Sequence, residues 1–216
     1  MKPTRFIWGC VTAGILACSS NAPTQPDTTG QPDSGGVKRA VLIGIDDYHD
    51  DSNVTDLKGA VNDVELMQTL LVGKFGFDPD NIVVLTNEQA THQAIVSTIS
   101  SHLGQSQAGD VALVHYSGHG SQMFDSDGDE PDRMDETIVP HDSRQGGVFD
   151  ISDDQINDLM SQLSAKTDNV VFVLDSCHSG TAARAADALG LDRTARFTPA
   201  DQRPPPQSND CPEIQL

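Results

Sequence analysis

Continuous apolar runs alternate along this chain with longer stretches whose apolar positions recur at helical spacing. Arg39-Ala-Val-Leu-Ile-Gly-Ile45 has the pattern of a strand buried on both faces. Over 57–74, Leu57, Ala60, Val61, Val64, Met67, Leu70 and Leu71 share one stripe, which predicts a helix. Ile82-Val-Val-Leu85 reads as a second strand, and 91–103 as a helix through Ile95, Ile99 and Leu103. Val111-Ala-Leu-Val-His-Tyr116 is a third strand, and Thr137-Ile-Val139 a short one after an acidic loop over 124–136. Ser152-Asp-Asp-Gln155 has capping-box spacing and opens a helix through Ile156, Leu159, Met160 and Leu163. Val170-Val-Phe-Val-Leu174 is the fourth main strand. Strands alternating with helices imply an α/β fold, a mostly parallel central sheet with helices on both faces. If the fourth strand is a sheet edge, its backbone needs a cover or a partner.

The flanks lack this periodicity. Met1-Lys-Pro-Thr-Arg5 is a basic start, and 6–17 is an apolar stretch too short for a stable span. Ile15-Leu-Ala-Cys18 before Ser19-Ser20 has the look of a lipoprotein cleavage box, with Cys18 lipidated; ordinary secretion is the alternative. The expected organisation is a signal over 1–18, a disordered tether over 19–37, a folded domain over 38–190 and an exposed, flexible tail over 191–216. An exported protein, membrane-bound only through its N-terminal lipid, follows from that reading.

With 216 residues the chain holds one ordinary domain and appendages. Thirteen basic against 32 acidic residues give a formal charge of −19, which argues against nucleic acid as a partner. The same charge suits cationic substrates, although a soluble acidic surface accounts for it equally well. Of the four cysteines, Cys10 lies in the signal and Cys211 in the tail, and no spacing suggests zinc or a disulfide framework.

Two of the strands run into reactive clusters: Ser117-Gly-His119-Gly120 and Asp175-Ser-Cys177-His-Ser-Gly180. In a parallel sheet both emerge at the carboxyl edge, where open α/β folds place their ligands. A thiol and an imidazole meeting there form a nucleophile and its base, the chemistry of a cysteine hydrolase. The backbone N–H groups of Cys177 and Gly120 are candidate oxyanion donors, and Gly118 and Gly120 permit a sharp turn with room beside it. A lone cysteine or histidine is more often an inert core residue; the shared position at two strand ends is what argues otherwise.

His115-Tyr-Ser-Gly-His-Gly120 together with Asp175-Ser-Cys-His-Ser-Gly180 resembles the metacaspases, caspase-like cysteine peptidases. Val41-Leu-Ile-Gly-Ile45, Leu57-Lys-Gly-Ala-Val-Asn-Asp63 and Asp135-Glu-Thr-Ile-Val-Pro140 extend the likeness over roughly 38–189. The resemblance implies a caspase-like three-layer sandwich and an endopeptidase that cleaves after Arg or Lys through a thioester. It implies Cys177 as nucleophile, His119 as base, and a pocket for the basic side chain built from Asp63, Ser117 and Asp175. Paired carboxylates suit a guanidinium physically. His115 is expected to be structural, and His178 to line the site at most.

Calcium is the activator the resemblance implies, with Asp153 and Asp154 at two ligand positions and Asp135 at a third. Arg184 replaces a further Asp of the family, and a cation is costly among calcium ligands. Asp125, Asp127, Asp129 and Glu136 offer EF-hand spacing, but Glu130 stands where that loop needs Gly. The family continues with a small-subunit-like region that these residues do not contain. A large-subunit-only form, an incomplete sequence or a separate chain completing the sheet would each account for that. Arg184, Arg193, Arg196 and Arg203 lie where an Arg-specific peptidase processes itself. Two alternatives stay open: a catalytically weak, lipid-tethered module binding basic peptides, and a calcium-binding surface protein.

Overall fold

The computed structural model describes residues 35–49, 52–125, 128, 130–177 and 196–204. Its centre is a parallel sheet of four strands, β1 (Lys38–Gly44), β2 (Ile82–Thr86), β3 (Val111–Ser117) and β7 (Asn169–Asp175), in the order β2-β1-β3-β7. Alternation of side chains sorts these strands' residues onto two faces. Ala40, Leu42 and Leu113 pack with Val64 and Leu71 of helix α1 (Ala60–Phe75) on one face. Val41, Ile43, Ala112, Val114 and Tyr116 pack on the other face, against Ile95 and Val96 of α2 (His92–Thr98) and Ile156, Leu159 and Leu163 of α3 (Asp153–Ser164). The result is three layers, as expected. A Cβ on Gly44 would lie 2.8 Å from the Ala60 carbonyl oxygen, so a bare backbone at that position lets α1 sit close on β1.

Several boundaries differ from the sequence pattern. Helix α1 starts at Ala60, not Leu57, because Gly59 takes φ +117° and the Asp46 carboxylate caps the helix from the preceding loop. Its oxygens accept from Ala60 N at 2.7 Å and Val61 N at 3.2 Å. Leu70, counted on the apolar stripe, is 43% exposed. The 91–103 helix is α-helical only through Thr98 and widens to a π turn over Ile99–Leu103, which keeps Ile99 and Leu103 buried. The capping box at Ser152 and Gln155 forms as read.

A second, antiparallel sheet joins β4 (Gly120–Phe124), β5 (Met134–Ile138) and β6 (Ile151–Ser152). Only part of β5 was legible, since β4 is half polar and β6 has two residues. Strand β7 is an edge: among the described residues it pairs with β3 alone, and Val171 and Val173 are exposed on its α1-side face. No helix among the described residues is long and apolar enough to cross a membrane. The expected signal, Cys18 and most of the tether lie outside those residues.

Candidate active site

The register of the main sheet assembles the site. Ser117 pairs with Asp175 as the last residues of neighbouring parallel strands, so the chain segments carrying His119 and Cys177 leave the sheet side by side at its carboxyl edge. Residues of one parity on β3 and β7 face α1: Leu113 with Val171, His115 with Val173, Ser117 with Asp175. Asp63, in the first turn of α1, closes over that row, and Ser117 Oγ donates to its carboxylate at 3.1 Å. Asp63, Ser117 and Asp175 therefore line one pocket, the three residues that the family resemblance groups together.

That pocket contains a side chain from the same protein. The Arg196 guanidinium forms ion pairs with Asp63 and Asp175, donates to Ser117 Oγ at 2.7 Å and approaches the Asp175 carbonyl at 3.3 Å. Burial pushes the Asp63 carboxyl up, but the bonds from Arg196 and Ser117 outweigh it and hold the group below the usual carboxylate range. His115 lies buried behind the pocket, and burial lowers its pKa despite the nearby Asp175 and Asp63.

His119 is fully buried and fastened on three sides. Its backbone N–H donates to Tyr48 Oη at 2.8 Å, and its carbonyl accepts from Tyr116 Oη at 2.7 Å. Its ring Nε2 lies 2.7 Å from the Thr55 carbonyl. A carbonyl only accepts, so Nε2 carries the proton and Nδ1 keeps its lone pair. Nδ1 is buried with no hydrogen-bond partner among the described residues. Neither Gly118 nor Gly120 adopts a positive φ. Gly118 is needed for space, because a Cβ would come within 2.5 Å of Tyr116 Oη and 2.9 Å of Tyr48 Oη.

Cys177 is a free thiol, half-buried. Its backbone N–H donates to the Arg196 carbonyl at 3.0 Å, and the Gly120 N–H donates to the same oxygen at 2.9 Å. Two amides from the two motifs thus converge on one carbonyl oxygen, the geometry of an oxyanion hole. Burial and then Asp175 push the thiol pKa up, against a lowering by Arg196; burial, with Arg144 and Arg196, lowers that of His119. Both groups are therefore held toward their neutral forms.

Residues 196–204 correct the expectation of an exposed tail. Thr198 and Asp201 are buried, and this stretch lies along β4. A tail with no apolar periodicity still docks because its contacts run through backbone amides and guanidinium groups. His178, Arg184 and Cys211 lie outside the described residues.

Of the three expected metal residues, Asp153 stands with Glu130 and Glu136, their carboxylate oxygens within 4.8 Å of one another. Asp135 is not in this group, because successive residues of β5 point to opposite faces and Asp135 is buried on the other one. Asp154 is close enough to act on Asp153 electrostatically but is not gathered with it. Burial, Asp154, Glu136 and Glu130 together push the Asp153 carboxyl up to about 6. Within the EF-hand-like stretch, Asp125 instead accepts from Gly128 N at 2.6 Å and Glu130 N at 3.2 Å, closing a turn.

Sequence reasoning missed Thr55, Tyr48, Arg144 and the role of Arg196 as occupant. Thr55 contributes a carbonyl, which any residue carries; Arg196 was visible only as one basic residue among several.

Comparison with known proteins follows the same outline. The family model described as "Metacaspase, peptidase C14 domain" matches residues 38–186. Metacaspase-1 of Arabidopsis thaliana is 35% identical over 179 residues, 80% of this chain and 47% of that protein. Metacaspase-1 of Sclerotinia sclerotiorum is 38% identical over 153 residues, 68% of this chain and 34% of that protein. The chain thus spans less than half the length of these relatives. The crystal structure of protein GSU0716 from Geobacter sulfurreducens superposes with a TM-score of 0.59 at 26% identity, covering 76% of this chain and 58% of that one.

Proposed function

This chain belongs to the metacaspase family, and from that premise we propose that it is a cysteine-type endopeptidase cleaving after Arg or Lys. The observation that carries the proposal is the placement of Arg196, with its guanidinium between Asp63 and Asp175 and its carbonyl on two N–H groups. A substrate presenting Arg in the same way has its carbonyl oxygen on the N–H groups of Cys177 and Gly120. His119 Nδ1 accepts the thiol proton as sulfur attacks, and the N–H groups of Cys177 and Gly120 hold the developing oxyanion. The proton passes to the departing amine, leaving a thioester that water hydrolyses with His119 again as base. The Thr55 carbonyl keeps Nε2 protonated throughout, so Nδ1 is always the working nitrogen.

A fluorogenic peptide ending in Arg tests the specificity. Removing one carboxylate from a charge-assisted contact costs about 1.5–3 kcal/mol, so Asp63→Asn raises KM on the order of 10- to 100-fold with a smaller change in kcat. Preference for Asp-terminated peptides, or an unchanged KM, would refute the assignment.

Calcium fits the gathered carboxylates of Glu130, Glu136 and Asp153, whose like charges crowd one another. These residues would hold it; when bound it neutralises that crowding, and no step above passes through it. Extracytoplasmic location with a lipid on Cys18 belongs to the same proposal, tested by the mass of the N-terminal peptide from membranes.

A second reading has one observation in its favour, the filled pocket beside a thiol whose pKa is raised: a module that holds basic segments without cutting them. It predicts no alkylation of Cys177 by an electrophilic Arg peptide.

A further inference from the structure

Two phenol hydroxyls meet beside the backbone of His119. Tyr48 and Tyr116 are both buried, their hydroxyls lie against the Cα of Gly118, and they are hydrogen-bonded to each other. Each phenol carries one proton and can accept as well as donate, so the donors can be followed one by one. The His119 N–H donates to Tyr48 Oη at 2.8 Å. Tyr116 Oη lies 2.7 Å from the His119 carbonyl and 3.1 Å from that of Val139, and a carbonyl only accepts, so the Tyr116 proton points there. The bond between the two phenols is then made by the Tyr48 proton. A closed circuit results: His119 N–H to Tyr48 Oη, Tyr48 O–H to Tyr116 Oη, Tyr116 O–H back to the His119 carbonyl. Val139 N–H joins it, 3.2 Å from Tyr116 Oη and 3.1 Å from the His119 carbonyl. Burial pushes both phenol pKa values up, so both protons stay in place throughout the working pH range.

Tyr48 belongs to the connection between β1 and α1, and that connection grips His119 in two further ways. The Tyr48 ring packs on the imidazole, with centroids 5.1 Å apart and planes tilted by 49°, and the Thr55 carbonyl takes Nε2. The connection is itself braced. Tyr48 N donates to Asp56 Oδ1 at 3.1 Å, the Asp46 and Asp47 amides to Asn87 Oδ1 at 2.9 and 3.2 Å, and His49 N to the His141 carbonyl at 3.2 Å. Tyr116 lies on the face of β3 opposite to Ser117, so the circuit stands apart from the pocket that holds the guanidinium.

We propose that Tyr48 is the positioning residue for the His119 base: its hydroxyl closes a ring of hydrogen bonds that fixes the His119 peptide, and with it the direction of the Nδ1 lone pair. The proposal rests on the peptidase reading and assigns within it a residue that acts on turnover and not on recognition of Arg. Turning the His119 peptide breaks bonds at both its N–H and its carbonyl, and each leaves a buried polar group unpaired. Hydroxyls bonded in sequence polarise one another, so the circuit works as a unit and not as separate contacts.

Hydrolysis of a fluorogenic Arg peptide by wild type, Tyr48→Phe, Tyr116→Phe and the double variant tests this, at a temperature well below the lowest melting point of the four. Tyr48→Phe keeps the ring on the imidazole and removes only the hydroxyl. Its kcat is expected to fall roughly tenfold or more, with KM within about twofold of wild type. The acid limb of kcat stays in place, because burial and the charges acting on the imidazole, Arg144, Arg196 and Asp56, are all retained. The double variant is expected to lie no more than about twofold below the slower single variant. An unchanged kcat in folded Tyr48→Phe overturns the proposal. So do losses that multiply in the double variant, or an acid limb that moves up to the ordinary imidazole value, which signals exposure of the ring. Should Tyr48→Phe fail to fold, amide exchange in wild type decides: the His119 N–H is expected to exchange only with global opening, and exchange at the rate of a loop amide overturns the circuit. Absence of Cys177-dependent hydrolysis in wild type overturns the peptidase reading, and the role of Tyr48 with it, whatever the exchange rate.

Discussion

The same dry surroundings act on Cys177 and His119 in opposite senses, raising the thiol pKa and lowering that of the imidazole. On the proposed mechanism a neutral pair needs the proton moved during attack, so His119 must be unprotonated for turnover. Below its lowered pKa the imidazole carries a proton and cannot accept another. The acid limb of kcat is therefore expected below the ordinary imidazole value of about 6.5, with the rate rising from there toward neutrality. On the proposed specificity a substrate guanidinium stands where Arg196 stands, so the lowering persists in the complex. A kcat profile whose acid limb lies above 7 contradicts this picture. At this scale the placement of Cys177, His119, Asp63, Ser117 and Asp175 at one end of the sheet was readable from sequence, because they belong to short motifs at strand ends or a helix start. What was not readable is the support: Tyr48 and Thr55 sit in loops, one acting through a hydroxyl and the other through its backbone.

Helix α1 matters to the site because its first turn carries Asp63, and that turn is set by Asp46. Losing a side-chain cap costs typically about 1 kcal/mol. Asp46→Ala is expected to lower stability by that order and to raise KM for Arg peptides several-fold by loosening Asp63, with kcat less affected. A variant with normal KM would detach the cap from the pocket. At the start of α3, Asp153 keeps its proton up to about 6, against an ordinary 3.8. The folded state binds that proton more tightly than the unfolded chain, so this stabilisation is whole below the unfolded value and is lost as pH rises through about 6. Without metal, Asp153→Asn is expected to melt higher than wild type at pH 7.5, by a ΔΔG of about 1–3 kcal/mol, and to show no such gain at pH 4. Added calcium should stabilise wild type and not the variant. Equal melting differences at both pH values contradict the crowding. The main strands were legible as apolar runs: β1 and β3 are buried on both faces, and β7 keeps an apolar run although its α1-side face is exposed; β4 and β6 were not legible, being short, polar and defined by antiparallel pairing that leaves little trace in composition.

Over the whole molecule, a formal charge of −19 accompanies a pocket that holds the Arg196 guanidinium and, on the proposed specificity, a substrate's basic side chain. Attraction of this kind acts on encounter and is screened by salt. For an Arg peptide, kcat/KM is expected to fall several-fold between about 0.05 and 0.5 M salt, while kcat holds; a salt-independent kcat/KM removes steering from the account. The sequence pattern missed that 196–204 returns to the site, since return contacts through backbone and guanidinium groups have no hydrophobic period. The most direct measurement of the central claim compares wild type and Cys177→Ala on one Arg-terminated fluorogenic peptide at equal concentration. Turnover by the wild type and none above background by the variant is the predicted result; equal rates from the two proteins would contradict it.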